Sequence, residues 1–157
     1  MPKLIPISFI INYLIIGLAF AQPSKKYLMA FHTCTNCAGP QSHTTRIAES
    51  NDGSNWSLVP NFNGFQGSVP DPIIRGNKLY IYTPGKVNRY NNSANTWEPA
   101  ANVSIKDSNQ QQIMYVDPSA ILDDDANIVL FFMNSTGLTG DPAFCQNYPR
   151  PTFSTFN

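Results

Sequence analysis

Ser68-Val69-Pro70-Asp71-Pro72-Ile73-Ile74 passes through a polar turn into Lys78-Leu79-Tyr80-Ile81-Tyr82. Tyr115-Val116-Asp117-Pro118-Ser119-Ala120-Ile121 passes through another into Asn127-Ile128-Val129-Leu130-Phe131-Phe132. Asp71 and Asp117 stand 46 residues apart, and each Asp-Pro leads into an apolar run, a turn and a second apolar run. Recurrence at a period of roughly 20–50 residues marks architectures in which each unit leans on its neighbours.

A second recurrence overlaps the first. Arg46-Ile-Ala-Glu-Ser-Asn-Asp-Gly-Ser-Asn-Trp56 matches Val87-Asn-Arg-Tyr-Asn-Asn-Ser-Ala-Asn-Thr-Trp97, the two tryptophans 41 residues apart. Loops of unequal length absorb the difference between the two spacings. A unit of about 40–50 residues with four short strands has the size of a β-propeller blade. The expected fold is therefore all-β. It comprises a partial blade over 26–62, a full blade over 68–101 and a second partial blade from Tyr115, two to three blades in all. A carboxylate at the same place in successive blades would point into one central pit.

No stretch holds a helical period. Short apolar runs broken by Gly, Pro, Asn and Asp predict strands over 26–33, 44–49, 56–59, 78–83, 87–91, 127–133 and 152–156. Asn51-Asp52-Gly53-Ser54 reads as a tight hairpin turn, because Gly accepts positive φ and Asp bonds its own backbone. The polar stretch 106–112 reads as a link.

Residues 1–21 read as an export signal: Lys3 is the basic start, 4–20 is nearly unbroken apolar sequence, and Ala19-Phe20-Ala21 is a cleavage site. Pro6, Ser8 and Asn12 weaken the alternative of a membrane anchor. Removing 21 of the 157 residues leaves 136 for the domain at 22–157. A closed propeller needs at least four blades of about 40–50 residues, so the reading expects an incomplete propeller, a fragment or a part completed by another chain. Loss of Lys3 takes the net charge from zero to −1, with no basic run. That argues against nucleic acid and, once the signal is cleaved, against a membrane.

Of Cys34, Cys37 and Cys145, two are expected to pair in an oxidising compartment. Cys34-Thr-Asn-Cys37 has redox-motif spacing without a surrounding βαβ pattern, and a zinc site would need His32 and His43 as its further ligands; a structural disulfide is the simpler reading. Asn55, Asn91, Asn102 and Asn134 open glycosylation sequons.

Ser50-Asn-Asp52-Gly53-Ser-Asn-Trp56 resembles the S-x-D-G-x-x-W hairpin of secreted glycosidase propellers. With the two Asp-Pro strands, the chain resembles, over about 26–133, the five-bladed glycosyl-hydrolase propeller superfamily of arabinanases, β-xylosidases and invertases. The resemblance implies a secreted protein acting on glycosidic bonds of a poly- or oligosaccharide. It also implies aspartates at the starts of innermost strands that act as base, nucleophile or sugar-orienting group, here Asp71 and Asp117, and a glutamate general acid in a later blade. Glu49 and Glu98, the glutamates of the chain, do not stand where that acid would. The alternative is a non-catalytic, lectin-like module or a degenerate fragment.

Glycoside hydrolysis generally takes two carboxyl groups about 5–9.5 Å apart. Two readings of Asp71 and Asp117 stand side by side: carboxylates facing substrate, or caps accepting backbone N–H groups at their strands. His32, Trp56 and Arg75 are the candidate substrate-binding residues. Each has a plainer reading: a hydrogen-bonded structural histidine, a tryptophan packed between blades as expected for Trp97, and an arginine in surface pairing like Arg89. Asp123-Asp124-Asp125 offers oxygens of the kind Ca²⁺ takes, but without the spacing of a calcium loop it reads as a hairpin tip. No cofactor or metal is expected, and no motif of nucleotide, serine-hydrolase or zincin chemistry occurs.

Overall fold

The structure, a computed structural model, describes residues 24–37, 39–136 and 152–155. The export segment and Cys145 lie outside these residues. Four antiparallel sheets follow one another along the chain, none of them closed. The first contains β1 (Tyr27–Cys34), β2 (His43–Ser50), β3 (Ser57–Leu58) and β4 (Phe65–Gln66). The second contains β5 (Asp71–Arg75), β6 (Lys78–Thr83), β7 (Lys86–Asn91), β8 (Thr96–Trp97) and β9 (Ala101–Asn102). A small hairpin of β10 (Ile105–Lys106) and β11 (Gln112–Ile113) precedes the third large sheet, made of β12 (Tyr115–Leu122), β13 (Ile128–Asn134) and β14 (Thr152–Thr155). No α-helix occurs among the described residues, and none is long and apolar enough to cross a membrane.

The recurrence in sequence is a recurrence of pairing. Strand β2 carries β3 opposite Ala48 and Glu49 and β4 opposite Thr44 and Thr45. Strand β7 carries β8 opposite Tyr90 and Asn91 and β9 opposite Lys86 and Val87. Each of the first two sheets thus ends in an outer strand broken into two pieces, so β1 and β2 correspond to β6 and β7. In turn β5, the edge strand ahead of β6, corresponds to β12, the edge strand ahead of β13. The first sheet has no such leading strand among the described residues.

Alternation on β6 explains the stacking. Leu79 and Ile81 point to one side, into a core with Ile47, Val59 and Tyr90 that Phe62, Phe65 and Trp97 flank. Tyr82 points to the other side, into a core with Val87, Ile105, Ile113, Tyr115, Ile128, Leu130 and Phe132, against which Tyr80 packs. A strand with side chains alternating between faces can bury both only if a sheet covers each. The second sheet is therefore the middle layer. Full burial of Ile81 and Leu130, both 0% exposed, contributes about 1.5–3 kcal/mol each.

The Asn51–Ser54 hairpin forms as its residues predict. Ser50 Oγ accepts from the amides of Asp52 and Gly53, while Asp52 accepts from the amides of Ser54 and Asn55 and from Asn55 Nδ2. Those donors hold the Asp52 carboxyl well below the usual carboxylate range. Gly53 has φ 77°, where a side chain would be strained.

Two expectations need correction. The stretch 106–112 is not a plain link but the turn of the β10–β11 hairpin, closed by Asp107 accepting from the amides of Asn109 and Gln111. Two-residue strands are too short to register as a period. Trp56 is not packed between sheets: it is 39% exposed and its Nε1 donates to Gly53 O at 3.0 Å, folding the ring onto its own hairpin. Trp97 does pack between the first two sheets, against Phe62, Phe65 and Tyr90.

Candidate functional site

Pro70 and Pro72 bracket Asp71 and leave β5 short of backbone donors. Because β5 pairs with β6 alone, it is an edge strand, the position in a sheet that tolerates proline. The start of β5 lies against the end of β1: the amide of Val69 donates to His32 Nδ1 at 2.9 Å. Asp71 reaches the other way. Its Oδ2 accepts from the amide of Ala120, on β12, at 2.6 Å. His32 and Asp71 thus stitch the first sheet to the second and the second to the third.

Burial raises the Asp71 carboxyl above its ordinary 3.8, opposed by the Ala120 amide, which favours the charged form. A half-buried acid with a raised pKa at a seam between sheets is the kind of group that functional sites exploit.

Asp117 does not repeat the place of Asp71. Asp71 is opposite Tyr82 on β6, whereas Asp117 falls in the bulge of β12 between Val116, opposite Met133, and Ser119, opposite Phe131. Val69 and Asp117 share a left-handed backbone, φ 39° and 48°, and each precedes a proline. If those left-handed residues are superposed, Val69-Pro70 falls on Asp117-Pro118 and Asp71 falls on Ser119. Asp71 thus stands in regular register and Asp117 in a bulge, so the two carboxylates do not take the same place on their strands. Asp117 is exposed, on the same strand as Ala120.

The remaining candidates lie elsewhere. Arg75 is at the turn end of β5, four residues or about 13 Å from Asp71 along the strand, and its Nε donates to Ala126 O at 2.7 Å. Trp56 follows the β2 end at Ser50, which pairs with Tyr27, whereas His32 pairs with Thr45 at the opposite half of β1. The glutamates are also distant. Buried Glu49 accepts from the amide of Ser24 at 2.7 Å, and Glu98 pairs with Lys78 and Arg89. Asp123 spends its oxygens on the amides of Asp125 and Asn127 within its own turn.

Of the five candidates, the structure sets two on either side of the start of β5, His32 against the first sheet and Asp71 against the third, with Asp117 on the strand Asp71 touches. No protein-family model matches the chain, and no curated protein is significantly similar to it. The site therefore rests on its own geometry.

In the sequence His43 enters only as a further ligand for a zinc site. It opens β2, pairs with Cys34, and stacks edge-on against His32 with ring centroids 4.8 Å apart. Cys34 and Cys37 are joined as a disulfide beside it, with Cα atoms 5.1 Å apart. The signal was present in the hairpin: a strand ending at Cys34 and returning at His43 must bring the two opposite. Beside this end of the sheets a cleft of about 260 Å³ is lined by Gln41, Gln66, Ser68, Thr83 and Lys86.

Proposed function

We propose that the chain is a secreted carbohydrate-active protein whose stacked sheets form part of a five-bladed propeller of the glycosyl-hydrolase type. Its glycan site lies at the start of β5 and along β12. The observation that carries this reading is Asp71: a half-buried carboxyl with a raised pKa, set where an edge strand of one sheet meets that of the next. The exposed Asp117 supplies a second carboxylate on β12, and His32 flanks the start of β5 from the first sheet. A chain rich in Asn and Ser and low in charge suits neutral sugars, which bind through hydrogen bonds.

A second reading, glycan binding without cleavage, is favoured by the mismatch between the two aspartates. Where hydrolysis needs paired carboxyls, Asp117 lies in a bulge rather than in the regular register that holds Asp71. Both glutamates are engaged away from the seam.

The test is to mix the chain with arabino-, xylo- and fructo-oligosaccharides, following binding by calorimetry and products by chromatography. Product release lost in Asp71→Asn and Asp117→Asn supports hydrolysis. Saturable binding without products, weakened in either variant, supports the binding reading. Absence of both binding and products across the three sugar classes overturns the carbohydrate assignment.

A further inference from the structure

Around the β1–β2 hairpin, Cys34, Cys37 and His43 each offer a ligand atom, and these atoms lie within 4.8 Å of one another. In a tetrahedral zinc site, bonds of about 2.3 Å to sulfur and about 2.0–2.1 Å to nitrogen put neighbouring ligand atoms about 3.5–3.8 Å apart. Small side-chain movements therefore separate this cluster from a coordination shell once the sulfurs part.

The two histidines of the hairpin differ in tautomer. His43 Nδ1 is 2.8 Å from Gly39 O, and a carbonyl only accepts, so Nδ1 carries the proton and Nε2 keeps its lone pair. A ring whose far nitrogen donates to a backbone carbonyl is the arrangement that fixes metal-binding histidines. His32 is the reverse. Its Nδ1 accepts from the Val69 amide, which places the proton of the neutral ring on Nε2 and leaves that ring no lone pair for a cation. His32 therefore packs against His43 as a wall rather than as a fourth ligand.

We infer that, when the Cys34–Cys37 bridge is reduced, the two thiolates and His43 Nε2 bind a zinc-class divalent cation, leaving the fourth coordination position open to water or an exogenous ligand. Disulfide and metal are alternative states of one site. A phosphine reductant supplies the two electrons that break the S–S bond and takes oxygen from water to become a phosphine oxide; the two protons of that water end on the two thiols. Binding the cation releases both thiol protons to solvent and forms two metal–sulfur bonds and one metal–nitrogen bond. Three protein ligands with one open position is the pattern of catalytic rather than structural zinc. This inference does not depend on the carbohydrate reading.

The experiment titrates the 157-residue chain, carrying Cys145→Ser so that the third cysteine cannot contribute, with Co²⁺ after phosphine reduction without oxygen. The expected result is one cobalt per chain, with visible bands of tetrahedral intensity and a thiolate-to-metal charge-transfer band, both abolished by Zn²⁺. The oxidised chain should bind roughly 100-fold more weakly and His43→Ala about tenfold more weakly, whereas His32→Gln should stay within about threefold. The inference is overturned if the reduced chain shows no thiolate band, if the oxidised chain binds equally, or if His43→Ala matches its parent. Equal loss in His32→Gln and His43→Ala overturns the open fourth position. The parent spectrum reports thiolate ligation by itself, so a variant that fails to fold leaves the test intact.

Discussion

Replacing Asp71 by alanine and by asparagine separates what its carboxyl does for the fold from what its charge does. The contact at stake is the 2.6 Å hydrogen bond from the Ala120 amide, the length of a charge-assisted bond. Asp71→Ala leaves that partly buried N–H without its acceptor, a loss of about 1–3 kcal/mol. For a domain of this size that corresponds to a fall in Tm of roughly 4–12 °C. Asp71→Asn keeps a carbonyl oxygen for the amide and removes the titration. Because burial raises the folded-state pKa above 3.8, the native chain holds the Asp71 proton more tightly than the unfolded chain does. The stability this gives is complete below 3.8 and is lost as pH rises through the raised folded value. Asparagine has no such loss, so the stability of Asp71→Asn relative to wild type should improve between about pH 3 and about pH 7. Urea denaturation of the three proteins at both pH values measures this. A difference between wild type and Asp71→Asn that is flat with pH, or that runs the other way, refutes the burial argument. An Asp71→Ala variant within about 0.5 kcal/mol of wild type at neutral pH would show that the bond to Ala120 does not hold the sheets together.

Three further outcomes follow from the packing. Ile81→Ala opens a cavity at a fully buried side chain packed between the first two sheets and should cost about 2–5 kcal/mol by urea denaturation, against about 0.5–1.5 for Ile81→Val; equal costs would deny the tight packing. Gly64→Ala would place a Cβ 2.5 Å from Thr45 O at φ 82°. With backbone on both sides of the clash it should cost upward of about 2 kcal/mol, and an unchanged Tm would contradict that close approach. Tyr115 donates to Thr83 O at 2.8 Å, and burial pushes its hydroxyl up to about 12. Tyr115→Phe should lose about 1 kcal/mol at neutral pH. Since the folded pKa is raised, that advantage of wild type is present below 10 and is lost as pH rises towards 12; a gap that persists undiminished above pH 10 would contradict it.

Much of the architecture was legible. Alternation in Leu79-Tyr80-Ile81-Tyr82 and the Asp-Gly turn at Asp52 specify strands and a hairpin through local chemistry, and the strands at 78–83 and 87–91 form as predicted. Shorter pieces escaped notice. Strands β4, β9, β10 and β11 are two residues each, and their existence depends on which neighbour they lie beside. The site was legible in part. Asp71 and His32 stand out by type and position, yet so do Trp56, in the turn after β2, and Arg75, at the far end of β5. Matching Asp-Pro pairs could not reveal that Asp117 lies in a bulge while Asp71 is in register, because a β-bulge inserts itself without a sequence signature beyond the proline that follows it.

Sequence alone determined that the chain is all-β and built from a repeated unit, since side-chain alternation and turn residues act over a few bonds and need no distant partner. Tertiary structure decided which residues meet: Asp71 with the Ala120 amide, His32 with the Val69 amide, His43 with the cysteine pair. Those meetings follow from strand register and from burying both faces of β6, and register is set by contacts between residues far apart in the chain.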